Sequence, residues 1–350
     1  MKRILIVLAG LAIVALAVPL LAVGSLNRHA AKAARADVTV TDLGTLGGRT
    51  SFAAAINDKG VVTGGADLEG GTQHAFRWSD GDMVDLGTLP GGSSSSGADI
   101  NARGDVVGTS VTPQGPFGRA TLWRNGDAAV DLGTFGGTIG NATGINDRGV
   151  VVGIAGIPGD AEPRAFVWDG GPLEGVGDLG PSSRASAINK HGVIVGTAVV
   201  AASGGGMADH AFASAGGSVT DLGSTLAGDP AGASDVNDHG VIVGSDLGVS
   251  EDGWVYRNGE MVDLGFRGNP SAINNHGTIV GTFCIDLPLC DTVHAFVVRD
   301  GARVDLNSLL PAGSGWVLRT AADVNDHGVV VGRGVHDGVD RAYLLTLPKK

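Results

Sequence analysis

The residue before the glycine of every Asn-x-x-Gly turn in this chain is basic or histidine. In order, these are Lys59, Arg103, Arg148, His191, His239, His276 and His327. On a chain with 36 acidic and 24 basic residues, such a set forms a local positive collar, suited to an anion or a carboxylated ligand. The four histidines also carry donor atoms that a metal would use. Against both readings, turn tips normally point into water, and copying of a repeat alone would propagate a polar residue there. The expectation is a ligand-binding collar with no metal and no cofactor.

No other spacing selects a chemical site. The chain has no G-x-S-x-G elbow, no HExxH, no EF-hand loop and no phosphate-binding P-loop. Residues 175–180 formally match G-x-G-x-x-G, but they overlap a repeated Asp-Leu-Gly and belong to no βαβ pattern. Carboxylates occur in loops at Asp67, Glu69, Asp160, Glu162, Glu251, Asp252 and Asp291, and nothing pairs two of them across a scissile bond. Cys284 and Cys290 are the only cysteines. A lone C-x5-C offers too few ligands for a metal, and in an exported chain it predicts a local disulfide.

The elements that would position the collar repeat along the chain. Asp-Leu pairs start at Asp42, Asp85, Asp131, Asp178, Asp221, Asp263 and Asp305, spaced 42–47 residues apart. The turns start at Asn57, Asn101, Asn146, Asn189, Asn237, Asn274 and Asn325. In the first copy, 51–57 is a short apolar segment and Asn57-Asp58-Lys59-Gly60 is a hairpin loop. Val61–Gly64 then returns, His74–Trp78 follows, and Met83–Gly87 closes the unit after a turn at Asp80-Gly81. Four short strands at this period match a propeller blade. The sequence predicts an all-β, seven-bladed β-propeller of four-stranded antiparallel blades over residues 37–347, with a short tail at 348–350. The last copy lacks a fourth strand, which Val38–Leu43 at the other end would supply, closing the ring.

Three details refine that expectation. The position three before each turn Asn is small (Ala54, Ala98, Thr143, Ser186, Ser234, Ser271, Ala322), as strands converging on an axis require. A two-residue turn at Asp80-Gly81 sets Phe76 opposite Asp85 and His74 diagonal to it, within reach of a charge-assisted bond. Arg119, Arg164 and Arg341 would make the same staple elsewhere. The strand-one to strand-two turns would place the collar around one mouth of the axial channel.

Residues 1–36 read as an export segment: Lys2 and Arg3, an apolar run from Ile4 to Val23, then small residues with A-x-A-like sites at 22–24 and 34–36. A hydrophobic signal helix is expected there, cleaved or retained as an N-terminal membrane anchor, because the run approaches the ~20 residues that span a bilayer. Without Lys2, Arg3, Arg28, Lys32 and Arg35 the balance becomes 36 acidic to 19 basic residues, a net charge of −17. That surface repels phosphate backbones, and no basic cluster offsets it, so nucleic-acid binding is excluded.

His-Ala-Phe at 74–76, 210–212 and 294–296, with Asp-Leu-Gly-Thr-Leu-Gly-Gly at 42–48 and Ile-Asn-Asp-x-Gly-x-Val-Val, resembles the HAF-repeat family of extracellular bacterial repeat proteins. The likeness covers everything after residue 36. The Asp-Leu-Gly-Thr pattern holds in three copies and then drifts, and the fifth copy reads Gly253-Trp254-Val255. The resemblance implies export and repetition, and it transfers no catalytic residue or ligand.

The function expected is a secreted or extracytoplasmic binding module, monomeric, for an extracellular protein, cell-wall or glycan ligand. Phe117, Phe266, Phe283 and Trp316 are the aromatics free to stack on a sugar. The rival reading is an exported hydrolase or lyase with acid and base residues scattered over the blades. A third is a structural cell-envelope repeat protein. Titratable groups converging at the channel mouth would separate the enzyme from the others.

Overall fold

The structure, a computed structural model, describes residues 38–347 except 114, 125–126, 161, 178–179, 202–204, 225–229, 248–251, 287–289, 291 and 300, and except the side chains of 115–117. The export segment and the tail at 348–350 lie outside the described residues. Seven four-stranded antiparallel sheets form the ring, each strand pairing with the next in sequence. Blade 1 is β2 (Gly47–Ile56), β3 (Val62–Leu68), β4 (Gln73–Ser79) and β5 (Asp82–Gly87), numbered from the axis outward. Among the described residues, the only helical element is a 3₁₀ turn at Leu306–Leu309, and no helix is long and apolar enough to cross a membrane.

The seventh blade combines both ends of the chain. β1 (Thr39–Asp42) pairs with β28 (Val339–Thr346), setting Thr39 opposite Thr346 and Asp42 opposite Tyr343. Leu43 extends the ladder by donating to the Ala342 carbonyl at 3.0 Å. This edge would otherwise be an open template for pairing.

The core lies between blades rather than in one centre. Phe76, Phe166, Phe212 and Phe296 of the third strands are fully buried, and Trp254 and Tyr343 take the same place in blades 5 and 7. Each packs against the neighbouring blade: Phe76 shares a cluster with Val331 and Ala342, and Phe166 with Val107 and Leu122. Burying one such ring stabilises the seam by roughly 1.5–3 kcal/mol. The alanine before it is equally buried, and in blade 1 the Ala75 N–H donates to Ser95 Oγ of the next blade at 2.9 Å.

The His/Arg–Asp staples form where the strand register predicts. Phe76 faces Asp85 across a turn with positive φ at Asp80 and Gly81. His74 Nδ1 then lies 2.9 and 3.0 Å from the two Asp85 oxygens. His210–Asp221, His294–Asp305 and Arg119–Asp131 repeat the pairing at 3.0, 2.8 and 3.1 Å. In blade 7, Asp42 takes His336 at 2.9 Å and Arg341 at 3.5 Å. The partner expected for Arg164, Asp178, lies outside the described residues.

Cys284 and Cys290 are disulfide-bonded, their Cα atoms 5.2 Å apart, in a loop beyond the second strand of blade 6. Such a bond suits an oxidising compartment. Because the closed loop is short, its reduction is expected to cost about 2 kcal/mol and to lower the melting temperature by a few degrees. A scan with and without reductant checks this, and a loss of tens of degrees would overturn it.

Candidate functional site

Every innermost strand is bulged at the equivalent place, and those of blades 1 and 7 carry a further register shift. The register shifts between Ala53 and Ala55, Gly97 and Asp99, Ala142 and Gly144, Ala185 and Ala187, Ala233 and Asp235, Pro270 and Ala272, and Ala321 and Asp323. The residue skipped each time is the small one three before the turn Asn. Unpaired in its own ladder, it turns toward the axis and lines a cavity of about 320 Å³. A side chain larger than Thr in all seven copies would close it. The second strand meets the bulge with glycine: a Cβ on Gly64 would sit 2.0 Å from the Phe52 carbonyl oxygen.

Beyond the bulge, the turn asparagines close a ring. Asn57 Nδ2 donates to the Asn101 carbonyl at 2.9 Å, and the same bond passes through Asn146, Asn189, Asn237, Asn274 and Asn325. Asn325 then donates to the Asn57 carbonyl at 3.1 Å. All seven side chains are buried. Each Oδ1 accepts two backbone N–H groups of its own turn, as Asn237 does from His239 and Val241, both at 3.0 Å. The repeated asparagine thus shapes the hairpin and ties it to the next blade.

A second ring, at the mouth, belongs to the residue after each Asn: Asp58, Ala102, Asp147, Lys190, Asp238, Asn275 and Asp326. Its carboxylate or amide oxygen accepts the backbone N–H of the preceding blade: Ala102→Asp147, Lys190→Asp238, Asp238→Asn275, Asn275→Asp326 and Asp326→Asp58, at 2.8–3.2 Å. Ala102 and Lys190 carry no such acceptor, so the ring is broken before them. Lys190 Nζ instead reaches Asp238 at 2.8 Å, and the Asn275 amide spans Asp238 and Asp326 at 2.9 Å each. Burial pushes the Asp238 carboxyl up, but the bonds from Lys190 and Asn275 outweigh it and hold it below its ordinary value. The Asp238 hydrogen bond holds the Lys190 ammonium up.

The collar residues sit one position further along each turn and do not line the cavity. Lys59, Arg103, Arg148, His191, His239, His276 and His327 are all exposed. Arg103 is drawn to Asp105 at 3.0 Å, and His276 Nδ1 lies 3.7 Å from Asp326. The channel mouth is therefore lined mainly by carboxylates, with Lys190 among them and the collar side chains outside.

Deeper lie Asp99, Asp235 and Asp323, which the sequence reading passed over. They occupy the position just after the bulge in the first strands of blades 2, 5 and 7, where the other copies have Ala55, Gly144, Ala187 and Ala272. Their recurrence two before the turn Asn was the available signal. All three are half-buried and line the cavity. Burial pushes the Asp99 carboxyl up to about 6 and that of Asp323 to about 7, and it raises Asp235 as well.

Two other expectations change. Phe283 and Trp316 are buried, not free to stack: Trp316 lies flat on His336 with centroids 4.4 Å apart, and Arg303 caps Phe283 at 4.2 Å. Half-buried Phe266 is covered by the same guanidinium at 4.8 Å, and the Phe117 side chain lies outside the described residues. Packing against the adjacent blade removed these rings from solvent. Of the loop carboxylates, Asp67 accepts from Thr50 N and Oγ1, and Asp160 from Thr138 N and Oγ1. They hold the Gly-Gly loops of the Asp-Leu-Gly-Thr pattern. Glu251 and Asp291 lie outside the described residues.

No protein-family model and no curated protein matches the chain. Solved structures do. TolB from Acinetobacter baumannii aligns over 59% of this chain and 51% of its own, with 13% identity and a TM-score of 0.40. A Trypanosoma rangeli sialidase, solved with 2,3-difluorosialic acid, aligns over 89% and 58%, with 10% identity and a TM-score of 0.46. AofleA from Arthrobotrys oligospora aligns over 89% and 93%, with 12% identity and a TM-score of 0.39. The chain spans between half and three-fifths of the length of the first two. Likeness this distant says nothing about what the protein binds.

Proposed function

We propose that the protein is an exported binding module whose ligand seats on the turn face, over the axial mouth. The observation that carries this is the preformed cavity. Its wall is fixed by a closed hydrogen-bonded ring, so a ligand meets side chains that need no reordering. The charges are concentric, with carboxylates inside and Lys59, Arg103, Arg148, His191, His239, His276 and His327 outside. That pattern suits a ligand bearing a cationic group at its centre and acidic or hydroxyl groups around it, on an extracellular protein, a cell-wall component or a glycan. Membership of the HAF-repeat family and secretion belong to the same proposal, supported by the seven repeats and the disulfide.

Pull-down of the protein against cell-wall fractions and a glycan panel tests the reading. Retention is expected by at least one of them. Replacing His239 and His276 together by Ala should weaken it about tenfold, equivalent to ~1.4 kcal/mol. Unchanged retention by the double variant would remove the collar from the site, and no retention at all would sink the module. A second reading, an exported hydrolase or lyase, is favoured by one observation. Raised carboxyls at Asp99 and Asp323 share a cavity with rim carboxylates, an arrangement acid–base chemistry uses. Turnover of a chromogenic glycoside or ester that is lost in Asp323→Asn would favour it.

A further inference from the structure

We infer that Asp99, Asp235 and Asp323 make closure of the propeller ring proton-dependent, so that the ring is held most tightly in mild acid and loosens toward alkaline pH. The geometry comes first. Each carboxylate takes the N–H of its own next residue on one oxygen, at 2.7 Å in all three cases. The other oxygen crosses the seam to the next blade: Ile145 N for Asp99, Ile273 N for Asp235 and Ile56 N for Asp323, at 2.7–2.8 Å. Three of the seven seams are bridged this way, including the one that joins blade 7 back to blade 1. At the other four the corresponding residue has no acceptor on its side chain.

The charge around these bridges is one-sided. Among the described residues, the charged groups facing the cavity from the surrounding turns are Asp58, Asp147, Asp238 and Asp326, with Lys190 as the only cation, and Lys190 is already held by Asp238. The bulged positions between them contribute only small neutral side chains. Asp99 feels Asp235 and Asp147, and Asp323 feels Asp235 and Asp99. Burial is the larger cause of the upward shift and this repulsion adds to it, while the two backbone bonds pull the other way and are outweighed.

A carboxyl whose folded-state pKa lies above its unfolded value stabilises the fold by holding its proton. The contribution is complete below the unfolded value of about 4 and is lost as pH rises through the folded value. For this protein the loss falls between about pH 4 and pH 7. The inference is independent of the ligand reading, because it concerns the empty ring.

The test is the pH dependence of thermal unfolding of the full chain, wild type against the triple variant Asp99→Asn, Asp235→Asn, Asp323→Asn. Asparagine keeps the shape and one acceptor but cannot ionise. The wild-type melting temperature is expected to fall between about pH 4 and pH 7, and the variant is expected to lose most of that slope whatever its absolute stability. If the triple variant does not fold, Asp323→Asn alone carries the comparison with a smaller loss of slope. Infrared titration supplies the second measurement: a carboxylic-acid carbonyl band in the wild type should vanish between pH 5 and pH 8 and be weaker in the variant. Equal slopes in wild type and variant, or no such band, would overturn the proposal.

Discussion

Removing residues 37–43 is expected to abolish the stable ring. β1 supplies the fourth strand of blade 7, and its removal exposes the Tyr343–Thr346 stretch of β28 as an open edge. It also empties two seams at once. Val38 packs with Leu306, Trp316 and Tyr343 on one side, while Leu43 packs with Phe76 and Ala342 on the other. Restoring two buried aliphatic side chains to water costs roughly 3–6 kcal/mol before any ladder bond is counted. That is a large share of the 5–15 kcal/mol that separates folded from unfolded states. The expected result is a fall of at least ten degrees in melting temperature together with concentration-dependent association in light scattering. A truncated protein that stayed monodisperse and melted with the wild type would show that the N-terminal strand does not close the ring.

The second large effect belongs to the asparagine ring. Asn237→Ala removes one donor and one acceptor from a buried site. It leaves the N–H groups of His239 and Val241 without partners and the Asn274 carbonyl with only its bond from Gly277 N–H. Unsatisfied buried groups cost about 1–3 kcal/mol each, so a loss of roughly 4 kcal/mol is expected. Asn237→Asp separates the two roles of the residue. It keeps the acceptor that shapes the turn but sets an oxygen against the Asn274 carbonyl, so it is expected to lose nearly as much. Denaturant unfolding reads both variants. Wild-type stability in Asn237→Asp would mean that the bond across the seam contributes nothing and that the residue serves its own hairpin alone.

How far the sequence carried the reading depends on the range of the interaction. The blade count, the closing strand, the hairpins and the His74–Asp85 pairing all follow from local period and two-residue turn geometry, and the structure shows them. The small residues before each turn were legible as axis-facing, although the bulge that turns them inward was not. The residues that line the mouth itself, one position before the collar, were not singled out. Spacing says that Asp58 and Lys59 share a turn, but the Asx hydrogen bonds to Asn57 decide which of them faces the axis. Phe283 and Trp316 were misjudged for a related reason, since side chains from other strands, Arg303 and His336 among them, cover them. Asp99, Asp235 and Asp323 recur in too few copies to stand out from the repeat, and their partners are up to 267 residues away in sequence.

The asparagine bonds all run in one sense, each blade donating to the one after it, and the last donating to the first. Such a circle has no first member. The first and last strands, β1 and β28, lie side by side in one blade, outside the circle, and nothing in the circle marks that blade as special. A circularly permuted chain, with β1 linked behind β28 and new ends cut in an exposed Asp-Leu-Gly loop, would thread the same seven asparagines in the same order. The ring fixes how many blades there must be and which way round they follow, and it is indifferent to where the polypeptide begins.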